Sequence, residues 1–369
     1  MRKRILFCVS NDLVNDQRMI RICGSLAGAG YDVCLIGRNL SGSSSLGRQV
    51  FLQKRLTCFF EKGKLFYLEY NIRLFFYLLF SSADAICAID LDTILPVYAV
   101  CRIRKKRCIY DAHEYFTEVP EVISRPLVKK IWEYIADITI PRIGFCYTVG
   151  HALAQELSKR YHVKFHVIRN LSRRKELDLS ATTFNTSIPF LLYQGALNEG
   201  RGLEVAIEAM AHINGFELWL AGDGDIAADL KALCRERKLD SKVKFLGKLS
   251  PSALADLTPH ATLGIHFLEN KGLSYYFSLA NRTFDYIEAL VPAIHPDFPE
   301  YRELMAEYQI GELLLSYEPA LVAAQIMSIV GDKVKYNNMK IECEKARKEL
   351  CWEMEERRLI EYYAQVMAP

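Results

Sequence analysis

"PFLLYQGALNEGRGLEVAIEAM", residues 189–210, passes from an apolar run through a glycine-punctuated turn into a helical pattern. Phe190 to Tyr193 is short, apolar and uninterrupted, as a strand covered on both faces must be. Gly195 ends it. Apolar residues then recur at helical spacing from Leu203 to Met210, and Arg201 stands between Gly200 and Gly202 at the junction. Strand, glycine turn and helix form the repeating unit of a parallel α/β sheet. Backbone amides at a helix start beside a guanidinium suit an anion, and glycine lets a phosphate come close. A tight turn with a solvated arginine would carry the same residues.

The unit recurs on both sides. "LAGDGD" (220–225) runs a strand into Gly222 and Gly224 before another helix. "SLANRTFDYIEAL" (278–290) puts Asn281 where a helix N-cap is expected, followed by Arg282, with Asp285 four residues after Asn281. Asp285 answers the helix dipole or grips a ribose diol, since a carboxylate accepts two hydroxyl hydrogen bonds. Upstream, "RILFCVS", "YDVCLIG", "ADAICAI", "RCIYDA", "GFCYTV" and "FHVIRN" read as strands separated by helical stretches. The fold class expected is α/β, with two Rossmann-like doubly wound domains facing a cleft. They span 1–170 and 188–351, joined by a polar linker at 171–187, with the last helix, 352–369, returning to the first domain.

A chain of 369 residues suits two cores, and 51% hydrophobic against 25% charged residues is globular composition. A net charge of +3 leaves no global footprint for nucleic acid, and none is expected as a partner. The 11 cysteines form no CxxC pair and sit mostly in apolar runs, which points to reduced thiols and a cytoplasmic setting. The apolar part of "MRKRILFCVS" is too short for a signal peptide. Residues 64–80 are apolar almost all round, but Glu69 and Arg73 interrupt them and they fall short of the roughly 20 residues of a membrane span. This helix reads as core. Alternatively, with Lys54, Arg55, Lys62 and Lys64, the stretch 54–80 makes a peripheral contact with an anionic membrane surface, on its inner face.

Two polar clusters interrupt the first half. "YDAHEYF" (110–116) holds Asp111, His113 and Glu114 at the end of an apolar strand: capping groups, a metal site, or a polar site at a strand end. One histidine is too few for a metal, and none is expected. "SNDLVNDQRMIRI" (10–22) crowds Asn11, Asp12, Asp16 and Arg18 into one turn, as a heavily capped helix with a surface arginine or as the lining of a site. His162 and His166 read as structural, because an i,i+4 pair on a strand lies far apart. No GxGxxG follows the first strand, which argues against a nicotinamide enzyme.

Taken in order, "YDAHE", "YTVG", "VIRN", "GALNEGRGLE", "LAGDGD", "VKFLG" and "NRTFDYIEALVPAI" resemble the GT-B-fold glycosyltransferases of group 1 (family four), over nearly the whole chain. The resemblance implies transfer of a sugar, with retention and without a metal or other cofactor, from a nucleotide-diphosphate sugar donor to a saccharide or lipid-linked acceptor. It implies a place in surface polysaccharide or glycolipid biosynthesis. Arg201 and Gly202 match the family's basic-Gly pair at the donor diphosphate, and Asp285 matches the second acid of Glu-x7-Glu, a ribose binder. Asn281 and Arg282 resemble the Asn-Lys of one subgroup, and with Gly195, Gly222 and Gly224 they complete the expected donor site. His113 matches the histidine beside the transferred sugar and, with Arg201, is the expected catalytic group. Asn11, Asp12, Asp16, Arg18, Asp111 and Glu114 fall on the acceptor side. Three positions depart from the pattern: Phe277 replaces the first acid of Glu-x7-Glu, Ala196 a basic residue, and Leu290 a glycine. The alternatives are a nucleotide-sugar epimerase of the same fold and a degenerate nucleotide-sugar-binding subunit.

Overall fold

The computed structural model describes residues 2–14, 16–174 and 188–368, which form two compact units. The first comprises residues 1–170 with 354–369, the second residues 171–353.

The first unit is built on seven parallel strands: β1 (Arg4–Cys8), β2 (Asp32–Asn39), β3 (Leu52–Thr57), β4 (Ala85–Ile89), β5 (Arg107–Ala112), β6 (Phe145–Thr148) and β7 (Phe165–Val167). Their order is β3-β2-β1-β4-β5-β6-β7. Helices cover both faces, so the central strands are apolar throughout; all five residues of β4 are buried. Because β1 pairs with β2 on one side and β4 on the other, the chain reverses direction there and opens a crevice at the carboxyl ends of the strands. The helix Trp352–Val366 packs into this unit, with the Tyr363 ring 5.8 Å from Phe7 and its hydroxyl 3.2 Å from that of Tyr147.

The second unit repeats the plan with six parallel strands: β8 (Phe190–Gln194), β9 (Glu217–Ala221), β10 (Val243–Gly247), β11 (Leu263–Ile265), β12 (Ala293–His295) and β13 (Gly311–Leu313). The order β10-β9-β8-β11-β12-β13 places its reversal between β8 and β11. Leu191, Tyr193, Leu220, Ile265 and Ile294 form one core with the helix Leu203–Ala209.

Several expectations need correction. The edge strands β3 and β13 were not foreseen. β3 is "LQKRLT", with exposed residues between half-buried ones, and β13 has only three residues, so neither shows the apolar run of an inner strand. Leu171 is no linker residue. It is buried against Phe284, Ile287 and Leu304, and Ser172 accepts a hydrogen bond from the Trp352 amide at 2.9 Å. The rest of the predicted linker, 175–187, lies outside the described residues. The helix Gly63–Phe80 is only half core: Phe66, Tyr70, Leu74 and Leu78 are buried, while Leu65, Leu68, Ile72 and Phe76 are exposed. His162 is not on a strand. It ends the helix His151–Tyr161 in a left-handed conformation at φ 55°, and His166 packs on the Tyr362 ring.

Candidate active site

In the first unit the crevice holds a connected charge network. Arg18, on the second residue of the helix Gln17–Gly28, is buried rather than on the surface. Its Nη2 donates to Asp111 Oδ1 at 3.1 Å and its Nη1 to the Ile168 carbonyl at 3.1 Å, while its Nε lies 3.0 Å from His113 Nε2. Asp111, at the end of β5, also lies 3.1 Å from His113 Nε2 through Oδ2. The fourth member is Asp90, immediately after β4. Its Oδ1 accepts the His113 amide at 2.8 Å, and its Oδ2 lies 3.7 Å from His113 Nδ1. Asp90 has φ 55° and ψ 176°, a conformation that costs an L-residue about 1–3 kcal/mol. The Asp90 amide in turn donates to the Asp111 carbonyl at 2.9 Å, tying the ends of β4 and β5 together.

Charge balance follows from these contacts. Burial alone would raise the Asp111 carboxyl, but Arg18 and then His113 outweigh it and hold it below the ordinary range. Burial opposes a charge on His113, yet Asp111 and then Asp90 raise its pKa above the usual 6.5, against Arg18. Burial pushes Asp90 up, and it takes Asp92, which accepts from the Ser10 hydroxyl, to about 6. His113 and Asp90 remain about one-fifth exposed, so they are the members of the network that a ligand can touch.

The other predicted first-unit residues divide. Asp16 is the N-cap of the helix, accepting the Met19 amide at 3.0 Å, and Asn11 donates to its second oxygen at 3.1 Å. Asp12 is held by Arg55 at 2.5 Å and by the Ser43 hydroxyl at 2.5 Å. Glu114 is exposed. The pairing of Arg55 with Asp12 removes Arg55 from the basic patch expected at 54–80.

The second unit gathers two arginines and two histidines at the carboxyl ends of β8, β11 and β12. Gly195 has φ 132°, and a Cβ there would lie 2.8 Å from Arg282 Nη2, so the turn is shaped around that guanidinium. Arg282 is 8% exposed and sits 4.2 Å over the Tyr193 ring; among the described residues its Nη1 has no hydrogen-bond partner. Arg201 lies 4.9 Å over the Tyr275 ring, and its buried Nε is likewise unpartnered. Gly202 is left-handed at φ 66°, and a Cβ would lie 2.1 Å from the Phe267 carbonyl. Beneath lie His266, following β11, and His295, ending β12. Both are fully buried, with three of their four ring nitrogens unpartnered among the described residues. Burial and then Arg282 lower both histidines, His295 to about 3, so they stay neutral beside the arginines.

Asp285 faces the same strand end. Its Oδ2 accepts from Gln194 Nε2 at 2.8 Å, and Gln194 Oε1 accepts from the Thr258 hydroxyl at 2.8 Å, which orients the carboxylate. Asn281 is not the N-cap: Ala280 occupies that position in an extended conformation, and Asn281 is the first helical residue. Gly222 and Gly224 have a packing role, since a Cβ would meet Gly195 O at 1.8 Å or Asn198 Oδ1 at 2.4 Å. Among the described residues no group of three or more His, Cys, Asp or Glu is placed to hold a metal ion.

Reading the sequence overlooked Asp90, Asp92, Gln194, His266 and His295. "IDLDT" could have exposed the first two, being a pair of acids directly after an apolar strand. The lone histidines in "GIHF" and "AIHP" give no such signal.

Residues 174–347 match the sequence model of the glycosyl transferases group 1 family. No curated sequence matches the chain significantly. Solved structures match over its length. Sucrose-phosphate synthase from Thermosynechococcus elongatus is 17% identical, with 99% of each chain covered and a TM-score of 0.80. HepE from Anabaena, in complex with UDP and glucose, is 14% identical, with 99% of this chain and all of the other covered, at 0.77. The apo lipopolysaccharide outer core galactosyltransferase WaaB is 12% identical, with 99% of each chain covered, at 0.66. The shared feature is the fold, two parallel-sheet α/β units of GT-B type.

Proposed function

From the premise that this chain has the GT-B fold and that its residues 174–347 match the group 1 glycosyl transferase model, we propose that it is a retaining glycosyltransferase. It moves a hexose from a nucleoside diphosphate to a saccharide or lipid-linked acceptor, in the assembly of a surface polysaccharide or glycolipid. The second unit takes the donor; the first supplies His113 and the acceptor site. The observation that carries this reading is the pair Arg201 and Arg282, with unpartnered nitrogens on the strand edge where α/β sheets bind ligands. Guanidinium nitrogens buried without a partner are costly, and a diphosphate would satisfy them.

In the transfer, the bond from the anomeric carbon to the diphosphate oxygen breaks and the leaving oxygens gain charge, which Arg201 and Arg282 offset. The acceptor oxygen bonds to the same carbon, and its proton passes to the departing phosphate. His113, cationic between Asp111 and Asp90, donates a hydrogen bond to the sugar; with both flanking carboxylates favouring its charge it is a poor base. Asp285 accepts from the ribose hydroxyls. The chemistry asks nothing of a metal. HepE, solved with UDP and glucose, supports a uridine donor as the first to try.

The test is a thermal-shift panel of nucleoside diphosphates and their sugars, followed by product analysis with and without acceptor saccharides. Saturation at 100 times the dissociation constant adds about 2.7 kcal/mol of stability. A donor altered without any acceptor identifies an epimerase. Donor binding with no turnover identifies the degenerate subunit that Phe277 in place of an acid would favour. No binding of any nucleotide rejects the proposal.

A further inference from the structure

The helix Gly63–Phe80 lies on the sheet with Phe66, Tyr70, Leu74 and Leu78, and turns a second apolar stripe, Leu65, Leu68, Ile72 and Phe76, to the outside. Leu68, Ile72 and Phe76 are each at least half exposed, and Phe59 in the preceding loop is 86% exposed. A neighbouring helix, Pro126–Thr139, does the same. It buries Ile135, Ala136 and Thr139 and exposes Leu127, Ile131 and Tyr134, at spacings of four and three. The two helices meet through Tyr67 and Trp132, whose rings lie edge to face at 5.8 Å. Contiguous apolar surface on this scale marks a docking site.

The charges say what docks. Neither helix has an acid in its first turn, although a helix N-terminus favours negative charge. Cations flank them instead: Lys62 and Lys64 at the first helix, Arg125 and, one turn in, Lys130 at the second, all exposed and, among the described residues, none in a salt bridge. Glu61 answers part of the charge at Lys62, and the remaining cations beside two positive helix ends favour an anion against them. Both helices are crossovers of a parallel sheet, so both begin at its carboxyl edge, where Asp90 and His113 lie. Phe116, three residues after His113, packs on Trp132 with ring centroids 5.1 Å apart. No helix among the described residues is long and apolar enough to cross a membrane.

We propose that these two helices form a single docking surface for an anionic lipid leaflet, with the apolar stripes entering the acyl boundary and the cations meeting headgroups at the His113 edge. Shallow burial of such stripes plus electrostatic attraction is how interfacial helices hold a membrane without spanning it. A neutral or basic protein partner would leave the cations at both helix starts unanswered. The surface stands whether or not the chain transfers sugar, and its assay needs no substrate.

The experiment is co-sedimentation of the full chain with phosphatidylcholine vesicles, and with vesicles of equal parts phosphatidylcholine and phosphatidylglycerol. Mixed vesicles should bind and neutral ones should bind far less, with release as salt screens the cations. Combining Leu68→Gln, Ile72→Gln and Phe76→Gln should weaken partitioning at least about a hundredfold. These side chains are exposed, so the melting temperature should hold. Lys62→Glu with Lys64→Glu should abolish the preference for anionic vesicles. Equal binding to both vesicle types, or none to either, overturns the proposal. So does a wild-type dimer in size-exclusion chromatography that the triple variant splits, because the stripe would then be a contact between copies.

Discussion

The two polar clusters occupy equivalent places in their sheets, at the carboxyl ends beside the reversal of strand order, yet they are electrically opposite. Around His113 every charge has an answer: Arg18 meets Asp111, and the imidazole sits between Asp111 and Asp90. Around Arg282 the answers are missing, with two arginines and two buried histidines presenting nitrogens that no described protein group accepts. Closed networks hold structure together, and open ones wait for a ligand. The difference predicts that an arginine in one cluster serves the fold while an arginine in the other serves binding.

The largest expected effect tests that division directly. Arg18→Met leaves Asp111 buried without its cation and should cost about 3–5 kcal/mol of stability in denaturant unfolding. Arg282→Met removes an uncompensated buried cation and should be neutral or stabilising while weakening nucleoside diphosphate binding. The pH dependence carries a sign. Asp111's pKa is depressed in the folded state, so its contribution is present above the ordinary carboxylate pKa and fades as pH falls through the folded value. In Arg18→Met that depression lessens, and acid unfolding should begin at higher pH. If Arg18→Met unfolds no more easily than Arg282→Met, the division collapses.

Next in size is Arg201. Hydrogen bonds to charged groups are worth about 1.5–3 kcal/mol, so Arg201→Ala should weaken nucleoside diphosphate binding about ten- to hundredfold by calorimetry. Binding of the unphosphorylated nucleoside should be untouched. Equal losses for both would take Arg201 out of the diphosphate site and leave Arg282 as its only cation.

Much of this contrast was legible in the sequence. Apolar strands and glycine turns give two parallel sheets because buried strands must be apolar on both faces; the edge strands escape that rule, and β3 and β13 were missed. Residue type was legible, but the partner was not. Arg18 looked like surface because nothing local shows that Asp111, 93 positions away, would meet it. Asn281 looked like a cap because asparagine favours that position, but the extended residue turned out to be Ala280. Asp90 and the histidines at 266 and 295 function through neighbours on other strands, and single-chain patterning carries no trace of those.

A smaller effect is expected at Asp285. Asp285→Asn keeps an oxygen that can accept from Gln194 Nε2, so the buried Gln194–Thr258 relay and the melting temperature should persist. What changes is the charge offered to two ribose hydroxyls, so nucleoside and nucleoside diphosphate should both bind about tenfold more weakly. This pattern is the opposite of that for Arg201, where only the phosphorylated ligand suffers. A loss confined to the diphosphate would move Asp285 away from the ribose.

The finest test returns to the closed cluster and asks whether Asp90, which holds His113 through its main chain and faces its ring, also sets its charge. The three strongest charges on the imidazole are Asp111 from β5, Asp90 from the end of β4, and Arg18 from the helix behind them, with Asp92 a fourth. The first two raise its pKa and the third lowers it, so the cation persists above the usual 6.5. If turnover needs that cation, the rate should hold at low pH and fall as pH rises through the raised value. Asp90→Asn retains an acceptor for the His113 amide but removes one carboxylate, so the falling limb should move to lower pH by about one unit or less. Histidine titration followed by NMR should shift by the same amount in the absence of substrate, which separates a change of charge from a change of shape. A rate that drops at every pH, with the histidine titration unmoved, would make Asp90 a strained backbone support and leave Asp111 alone to charge the ring.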